Sequence, residues 1–345
     1  MPAALYSAHS EALTTLYADV ESYAFGHKEV FVGTAGSVLE RENASGFRFY
    51  AHQFYDGAGK KRERYVGGPT GKEAADGAAA RLRERIAELK AIVPSLRLLA
   101  REGFAIVDAR AYGTLASLHN HGVFEAGGIL VGSHAYGVLL DRLGIRAARF
   151  ATEDVDLARS EALAFETLPE KSLLEILRDS GIEFVEIPSL DPKRPSTSYK
   201  ARGRAPFHVD LLVPSRDESF PTVRVPELKA HATGLPYLGY LLAESQRAIV
   251  LAREGLCAVR VPLPERYAVH KLIVSRLRTG REAKAGKDLL QACVLAATLG
   301  DSHPGALEEA KKAVPPRARK HLLRALDVAL PRLEAHPRAQ AELAG

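Results

Sequence analysis

Three acidic side chains are spaced so that they could share one site. Asp154 and Asp156 lie two residues apart, and Asp210 lies within the apolar run 207–213. Side chains at positions i and i+2 of a β-strand point to the same face, so the first two carboxylates can converge on one point. Clustered carboxylates raise each other's pKa values unless a cation neutralises them. The pattern therefore indicates a divalent-cation site, and magnesium prefers such oxygen ligands while leaving positions open for phosphates.

A Gly-Ser turn, Gly132-Ser133, follows the apolar run 129–131 and precedes a predicted helix at 135–143. Glycine lets the backbone approach a ligand closely, and the serine hydroxyl and the N–H groups of a helix start can bind phosphate oxygens. Gly-Ser and Asp-x-Asp are each common, but their order here is rarer: strand, turn, helix, Asp-x-Asp strand, then a single aspartate on an apolar strand. The competing interpretation is that Asp154 and Asp156 are a solvated loop pair and Asp210 is a polar residue of an edge strand.

The elements that must position these residues follow from the apolar periodicity. The first thirty residues predict a helix, residues 36–68 predict three short strands, and residues 72–92 predict a long amphipathic helix that Pro94 ends. Beyond residue 104 we expect strands at 129–131, 154–157, 182–187, 207–213, 248–251 and 257–261, and helices at 108–118, 135–143, 173–178, 266–277, 287–299 and 320–330, the last ended or kinked by Pro331. The residues 191–195 predict a loop.

The fold class expected from this order is α+β: a mixed sheet flanked by helices, with a small N-terminal β-sheet plus long helix and a C-terminal helical region. The chain of 345 residues favours two or three domains. We predict an accessory or substrate-recruiting unit at 1–100, a core at 101–265 and a helical region at 266–345.

The composition is that of an ordinary globular protein, with 46% apolar and 26% charged residues. No run is long and apolar enough for a membrane span, and the N-terminus lacks the pattern of a signal peptide. Cys257 and Cys293 lie in apolar segments and share no metal-ligand spacing with histidines, so we expect neither a disulfide nor a zinc site. A cytoplasmic location is the expectation.

The net charge of +5 is gathered in local basic clusters. One cluster lies beside the aromatic residues of the predicted three-stranded sheet, where rings and cations could bind nucleic acid: Lys60, Lys61, Arg62 and Arg64. We favour the alternative that these aromatic residues form the sheet's own core. A second cluster in the loop before the Asp210 strand could lie near an acceptor: Lys200, Arg202 and Arg204.

The segment GGILVGSHAYGVLLDRLGIRAARFATEDVDLA, together with Asp210, resembles the polymerase-β-type nucleotidyltransferase superfamily. It is particularly similar to a bacterial family of nucleotidyltransferase-like proteins with the pattern GGxLVGSxAY…TxDVDLA, over residues 104–299. The resemblance implies a nucleotidyltransferase-type sheet. It also implies that Gly132 and Ser133 bind the triphosphate, and that Asp154, Asp156 and Asp210 are catalytic and hold two Mg²⁺ ions, with Mn²⁺ as an acceptable substitute.

A second similar segment, PLPERYAVHKLIVSRLRTGREAKAGKDLLQA, places Lys271 and Lys287 beside the nucleotide, where they could neutralise phosphate charge. The alternative is that both lysines are paired with acidic neighbours on the helix surface. Thr152 would share the strand face of Asp154 and could contact the ligand. His270 is expected to be a packed histidine, and His134 is left out of the site because a helix N-terminus disfavours a charged imidazole.

These residues predict a magnesium-dependent nucleotidyltransferase. It would transfer a nucleoside monophosphate from an NTP, ATP among them, to a hydroxyl of a nucleic acid, a protein or a small molecule, with release of pyrophosphate. Two alternatives stay open. One is a non-catalytic nucleotide- or nucleic-acid-binding module that retains the fold, and the other is a nucleotidyltransferase of a toxin or defence system.

Overall fold

The fold begins with a unit built on a three-stranded sheet and two helices. In the computed structural model, the residues described are 4–150, 152–189, 191, 194–204, 206–277 and 282–345. Elements are numbered in chain order, and the N-terminal ones are β1 (Tyr6–Ala8), α1 (Glu11–Phe25), β2 (Ser37–Glu42), β3 (Arg48–Tyr55), β4 (Lys61–Gly67) and α2 (Glu73–Arg101). Strands β2, β3 and β4 form an antiparallel sheet in that order, which confirms the three predicted strands.

Helix α2 is longer than the sequence predicts. The sequence predicts that it ends before Pro94, but the helix runs through Pro94 to Arg101. A proline inside a helix lacks the N–H for one backbone hydrogen bond and costs about 3 kcal/mol. Leu96 and Leu99 follow Pro94 and are fully buried, and burying a leucine contributes about 1.5–3 kcal/mol. The predicted end was wrong because this packing outweighs the cost of the proline.

The central part of the chain forms the sheet that carries the aspartates. Its elements are α3 (Ala109–Asn120), β5 (Ile129–Val131), α4 (Gly132–Arg142), β6 (Ile145–Ala147), β7 (Asp154–Ala158), α5 (Leu173–Arg178), β8 (Phe184–Glu186), β9 (Ser198–Ala201), β10 (His208–Pro214), β11 (Thr222–Val225), β12 (Ala230–Leu235), α6 (Leu238–Leu242), β13 (Ser245–Leu251) and β14 (Leu256–Pro262). The main sheet has the order β11-β12-β10-β7-β5, and β9 pairs with β10 and with β8.

This seven-stranded sheet is mixed. Strand β10 is parallel to β7 and to β12, whereas β5, β9 and β11 pair antiparallel to their neighbours. Helices flank the sheet, and the fold is therefore α+β, as predicted. Strands β13 and β14 form a separate antiparallel pair, and β1 pairs with β6.

Helices make up the C-terminal part of the chain: α7 (Pro264–Ser275), α8 (Glu282–Ser302), α9 (Ala306–Lys312), α10 (Pro316–Arg332) and α11 (Pro337–Ala344). Helix α10 ends one residue after Pro331, which agrees with the prediction that this proline ends or kinks the helix. In the predicted loop 191–195, Pro192 and Lys193 lie outside the described residues.

Two apolar clusters hold these parts together. The larger one fills the space between the main sheet and the helices from α3 to α11. The smaller one joins α1 and α2 to Phe104 and to β13 and β14, through Ile249, Leu251 and Leu256. The N-terminal unit is thus packed on the core through shared apolar residues, and its division from the core at residue 100 stays a prediction, as does the boundary at residue 265.

Both cysteines are buried and free, Cys257 in β14 and Cys293 in α8. Of the helices formed by the described residues, none combines the length and the apolar character that crossing a lipid bilayer demands.

Candidate active site

The Gly-Ser turn lies where β5 runs directly into α4. Gly132 is the first residue of α4 and has a φ of +66°, a conformation that glycine adopts without the steric cost other residues meet. A Cβ on Gly132 would lie 1.9 Å from Oδ2 of Asp156. The glycine therefore allows the turn and the Asp156 carboxylate to lie in direct contact.

The carbonyl of the same glycine is held from the C-terminal helices. The hydroxyl of Tyr267 in α7 donates a hydrogen bond of 2.8 Å to the Gly132 oxygen, and it lies 3.3 Å from Oε1 of Gln291 in α8. No acidic residue occupies the first turn of α4. Its N-terminal N–H groups and the helix dipole therefore favour an anion at Ser133.

The three aspartates lie on one face of the main sheet. The parallel register of β7 and β10 places Asp156 opposite Asp210, and Asp154 opposite His208. Since side chains two residues apart on a strand share a face, all four side chains lie together. The exposed fraction of the Asp154 side chain is 41%, and that of Asp210 is 29%. The site is therefore open to a ligand from solvent.

Asp156 is the carboxylate on which this clustering acts most strongly. Desolvation raises the pKa of Asp156 to about 6, and repulsion from Asp210 and Asp154 acts in the same direction. The ammonium group of Lys271 and the ring of His208 oppose the rise. A carboxylate with this pKa is stabilised in its charged form by any added cation.

His208 is a member of the site that the sequence analysis missed. Its Nδ1 lies 3.2 Å from Oδ1 of Asp154, and its Nε2 lies 3.6 Å from Oδ2 of Asp210. Pairing with Asp210 raises the pKa of His208 to about 9 despite partial burial. The charged imidazole thus neutralises part of the acidic cluster. The signal was present in the sequence, since His208 precedes Asp210 by two residues and must share its face.

Asp210 is also held from β9. The antiparallel register places Ser198 opposite Asp210, and the Ser198 hydroxyl donates a hydrogen bond of 2.5 Å to Oδ1. Although burial opposes it, hydrogen bonding from His208 and Ser198 lowers the pKa of Asp210. Strand β9 was not predicted, so its contribution could not be seen in the sequence.

The two predicted phosphate-binding lysines lie in different surroundings. Lys271 is buried and its Nζ lies 2.6 Å from Oδ1 of Asp288. Lys287 is half-buried, and its Nζ lies 5.3 Å from the centre of the Phe150 ring. Burial and repulsion from Lys271 lower the pKa of Lys287. Lys271 is thus already balanced by a carboxylate, whereas Lys287 is the more accessible of the two.

Thr152 and Ser133 line the same cleft, and Oγ1 of Thr152 lies 3.5 Å from the backbone nitrogen of Asp154. His134 follows Ser133 in α4 and lines this cleft too. Burial lowers the pKa of His134 to about 4, which keeps the imidazole neutral near neutral pH. The cause of this shift is burial, so the expectation that a helix start disfavours a charged histidine stays a prediction. His270 is buried in α7, as expected for a packed histidine.

The basic residues outside the core occupy two further places. On the N-terminal sheet, Arg62 pairs with Asp56 at 2.6 Å, whereas Lys60, Lys61 and Arg64 form no ion pair with the described residues. In β9, Lys200 lies opposite His208. Arg202 pairs with Glu183, and Arg204 lies in the turn that follows β9.

The donor atoms of the acidic face are of the type that magnesium prefers, since Asp154, Asp156 and Asp210 offer oxygen only. Their mutual repulsion, visible in the raised pKa of Asp156, is what a divalent cation would relieve. Within the described residues, no group of three histidine, cysteine or acidic side chains has the arrangement of a metal site. The residues fit the ion by their chemistry, and the ion itself remains a proposal.

Comparison with known proteins gives one family. Residues 110–315 match the family model described as Nucleotidyltransferase, a span that covers more than half of the chain and includes the Gly-Ser turn and all three aspartates. Neither the curated proteins nor the solved structures gave a match. The chain therefore belongs to the nucleotidyltransferase family, whose members are transferases of nucleoside monophosphates.

Proposed function

We propose that the protein transfers a nucleoside monophosphate from an NTP to a hydroxyl group, with release of pyrophosphate, and that the reaction requires Mg²⁺. The observation that supports this most strongly is the register of β7 and β10. It brings Asp154, Asp156 and Asp210 onto one face, with the Gly-Ser turn against Asp156. An anion-binding helix start directly beside a carboxylate cluster is the arrangement that a metal-bound triphosphate requires.

The triphosphate would bind at the start of α4. The N–H groups of the first turn and the Ser133 hydroxyl supply hydrogen bonds, and Tyr267 fixes the turn by holding the Gly132 carbonyl. Lys287 supplies a nearby positive charge, and Thr152 supplies a second hydroxyl in the same cleft. Lys271 is paired with Asp288, and its positive charge also lowers the pKa of Asp156.

The aspartates would hold the metal. Asp154, Asp156 and Asp210 would bind two Mg²⁺ ions, for which Mn²⁺ could substitute. When bound, these ions neutralise the carboxylates and polarise the phosphate oxygens.

In the transfer, the acceptor hydroxyl oxygen forms a bond to the α-phosphorus of the NTP. The bond from that phosphorus to the bridging oxygen breaks, and pyrophosphate leaves with the electron pair. The hydroxyl proton passes to the Asp210 carboxylate and from there to water. Ser198 and His208 hold Asp210 in place for this role.

The proposal is tested with NTP labelled at the α-phosphate and Mg²⁺, in the presence of candidate acceptors. Asp154→Asn and Asp156→Asn each remove a charged ligand and should abolish transfer, and chelation of the metal should do the same. Asp19→Asn is the matched control, because Asp19 is exposed on α1 away from the site. Transfer that survives both active-site substitutions would disprove the proposal.

One observation favours the alternative of a binding module without turnover. His208 already neutralises Asp154 and Asp210, which could hold the acidic face in a form that does not need a metal. A calorimetric titration with NTP, with and without Mg²⁺, separates the two. Binding that is independent of Mg²⁺, together with no pyrophosphate release, would support the module.

A further inference from the structure

A cleft of about 970 Å³ lies between the N-terminal sheet and the core. Ser133 and Thr152 line it on the side of the candidate active site, and Tyr55, Asp56 and Gly59 line it on the side of the N-terminal sheet. Its volume is at the upper end of the range of about 300–1,000 Å³ that small-molecule sites occupy. The cleft therefore has room for more than one nucleotide unit.

Two aromatic rings on the cleft wall are open to solvent. Tyr55, at the end of β3, is 51% exposed, and Phe150, in the segment between β6 and β7, is 38% exposed. Exposed rings that line a cleft offer flat surfaces on which nucleic-acid bases stack, at about 1–3 kcal/mol per base. One ring belongs to the N-terminal unit and the other to the core, so a ligand that used both would span the cleft.

Two arginines of the cleft wall form no ion pair with the described residues. Arg149 and Arg253 line it, and neither has a carboxylate within 4 Å among the described residues. Lys60 and Lys61 do not line the cleft, but they directly follow Gly59, which does, and neither forms an ion pair with the described residues.

The acidic residues of the wall are already engaged. Asp56 pairs with Arg62, Glu254 pairs with Arg97, and Asp108 caps the start of α3 by accepting from the Ala111 N–H. The hydrogen bond leaves the charge of Asp108 in place, so Arg149 and Arg253 outnumber one unpaired carboxylate on this wall. The remaining excess is positive and is complementary to a phosphate backbone.

We propose that this cleft binds the end of a single-stranded nucleic acid, and that this strand is the acceptor of the transfer reaction. The bases stack on Tyr55 and Phe150, and the backbone phosphates contact Arg149, Arg253 and the Lys60-Lys61 pair. These contacts bring the terminal hydroxyl of the strand to the aspartates, where it displaces pyrophosphate from the NTP. The acceptor role rests on the proposed function, whereas the binding site does not.

Binding to the full chain is measured first, in the absence of NTP. The probes are end-labelled oligonucleotides of one sequence: single-stranded RNA, single-stranded DNA, and the corresponding RNA and DNA duplexes. We expect saturable binding of single strands that is tighter than that of duplexes, and the RNA and DNA arms show which sugar is preferred. Tyr55→Ala should weaken binding roughly 5- to 150-fold, the equivalent of one stacked base. Tyr65→Ala is its control, because Tyr65 is equally exposed on the N-terminal sheet but does not line the cleft.

The charge contribution is tested by salt dependence. Arg149→Gln and Arg253→Gln should each reduce the slope of log K against log salt by about 0.7, the value for one phosphate contact on a single strand. Arg319→Gln, an exposed arginine of α10 outside the cleft, should leave the slope unchanged.

The outcomes separate the two proposals. Single-strand binding that depends on Tyr55 and Arg253 but is never followed by transfer would support the binding site and contradict the proposed function. Transfer to a protein or a small molecule, with no single-strand binding, would support the proposed function and overturn the inference. Equal effects of the cleft variants and their controls would also overturn it.

Discussion

Gly132 is the residue at which the backbone of the site and its acidic side chains meet. Its φ of +66° is one reason for glycine at this position, and the 1.9 Å that would separate a Cβ from Oδ2 of Asp156 is another. The positive φ concerns the turn alone, whereas the short Cβ distance concerns the spacing between the turn and the Asp156 carboxylate. Substitution of two glycines with similar φ, only one of which lies against a carboxylate, can separate these two reasons.

Gly132→Ala should lower both thermal stability and transfer activity. A left-handed conformation costs an alanine about 1–2 kcal/mol, and the added methyl group must also push Asp156 aside. A displacement of about 1 Å in an active site can cost about 10²-fold in rate. The matched control is Gly122→Ala, because Gly122 has a φ of +70° and open space around its Cβ position. Equal losses of melting temperature in the two variants, with full activity in both, would contradict this account.

The site residues differ in how far the sequence could predict them. Strand periodicity predicts that Asp154 and Asp156 share one face, because they lie two residues apart. Asp210 comes much later in the chain and was grouped with them through the order of the motifs and the resemblance to the superfamily. The contacts of Tyr267 and Gln291 were not predicted, although the resemblance places Lys271 and Lys287 of the same two helices beside the nucleotide. Contacts of this kind depend on helix packing, which periodicity alone does not specify.

Among the elements, those with a distinct apolar run or helical period were predicted, even the three-residue β5, whereas several short ones were not. Strands β1 and β6 have three residues each and pair across more than 130 residues of chain, so neither carries enough periodicity to be seen. The end of α2 was wrong because Pro94 is a local signal, while Leu96 and Leu99 respond to the core. A single residue such as Pro94 therefore does not fix the end of a helix when the residues that follow it are buried in the core.

Helix α4 is held to the segment before α3 by a buried carboxylate. Oδ1 of Asp141 accepts a hydrogen bond of 2.7 Å from the Ala105 N–H, while Oδ2 is buried without a partner among the described residues. Burial raises the pKa of Asp141 well above its ordinary value, although the bond from Ala105 opposes the rise. The folded protein therefore holds this proton more tightly than the unfolded chain does.

Asp141→Asn should change how stability depends on pH. Because the folded state binds the extra proton, the wild-type free energy of unfolding falls as pH rises from about 4, the ordinary carboxyl pKa, towards the raised pKa of Asp141. Asparagine keeps an oxygen for the Ala105 N–H and has no proton to lose. The variant should gain stability relative to the wild type across this window, by on the order of 1 kcal/mol or more at neutral pH. Denaturant unfolding at a series of pH values measures this, and a difference that does not vary with pH would refute it.

For the molecule as a whole, the smaller apolar cluster decides whether the N-terminal unit unfolds by itself. Leu99 of α2 packs in one cluster with Ile249, Leu251 and Leu256 of the core. When one element of this cluster unfolds, the other elements lose the apolar contacts that it provided. The whole chain should therefore unfold in one transition, even though the sequence predicts a boundary at residue 100.

Leu99→Ala should destabilise the core as well as the N-terminal unit. Removal of a buried leucine side chain costs about 2–5 kcal/mol. The readout is the reaction of Cys257 and Cys293 with a thiol reagent during denaturant unfolding, since burial raises the pKa of Cys257 to about 12 and that of Cys293 to about 11 and keeps both unreactive when folded. Leu323→Ala, at a position 64% exposed on α10, is the control and should have little effect. If Cys293 became reactive at an unchanged denaturant concentration in Leu99→Ala, the two parts would unfold independently.

The most direct test of the central claim follows the two ends of the NTP in one experiment. The protein is incubated with Mg²⁺ and candidate acceptors, in parallel with NTP labelled at the α-phosphate and NTP labelled at the γ-phosphate. We expect that the α label enters the acceptor, that the γ label appears in pyrophosphate, and that Asp156→Asn abolishes both while Asp19→Asn changes neither. Entry of the γ label into the acceptor, or an unchanged rate in Asp156→Asn, would contradict the assignment of these aspartates to nucleotidyl transfer.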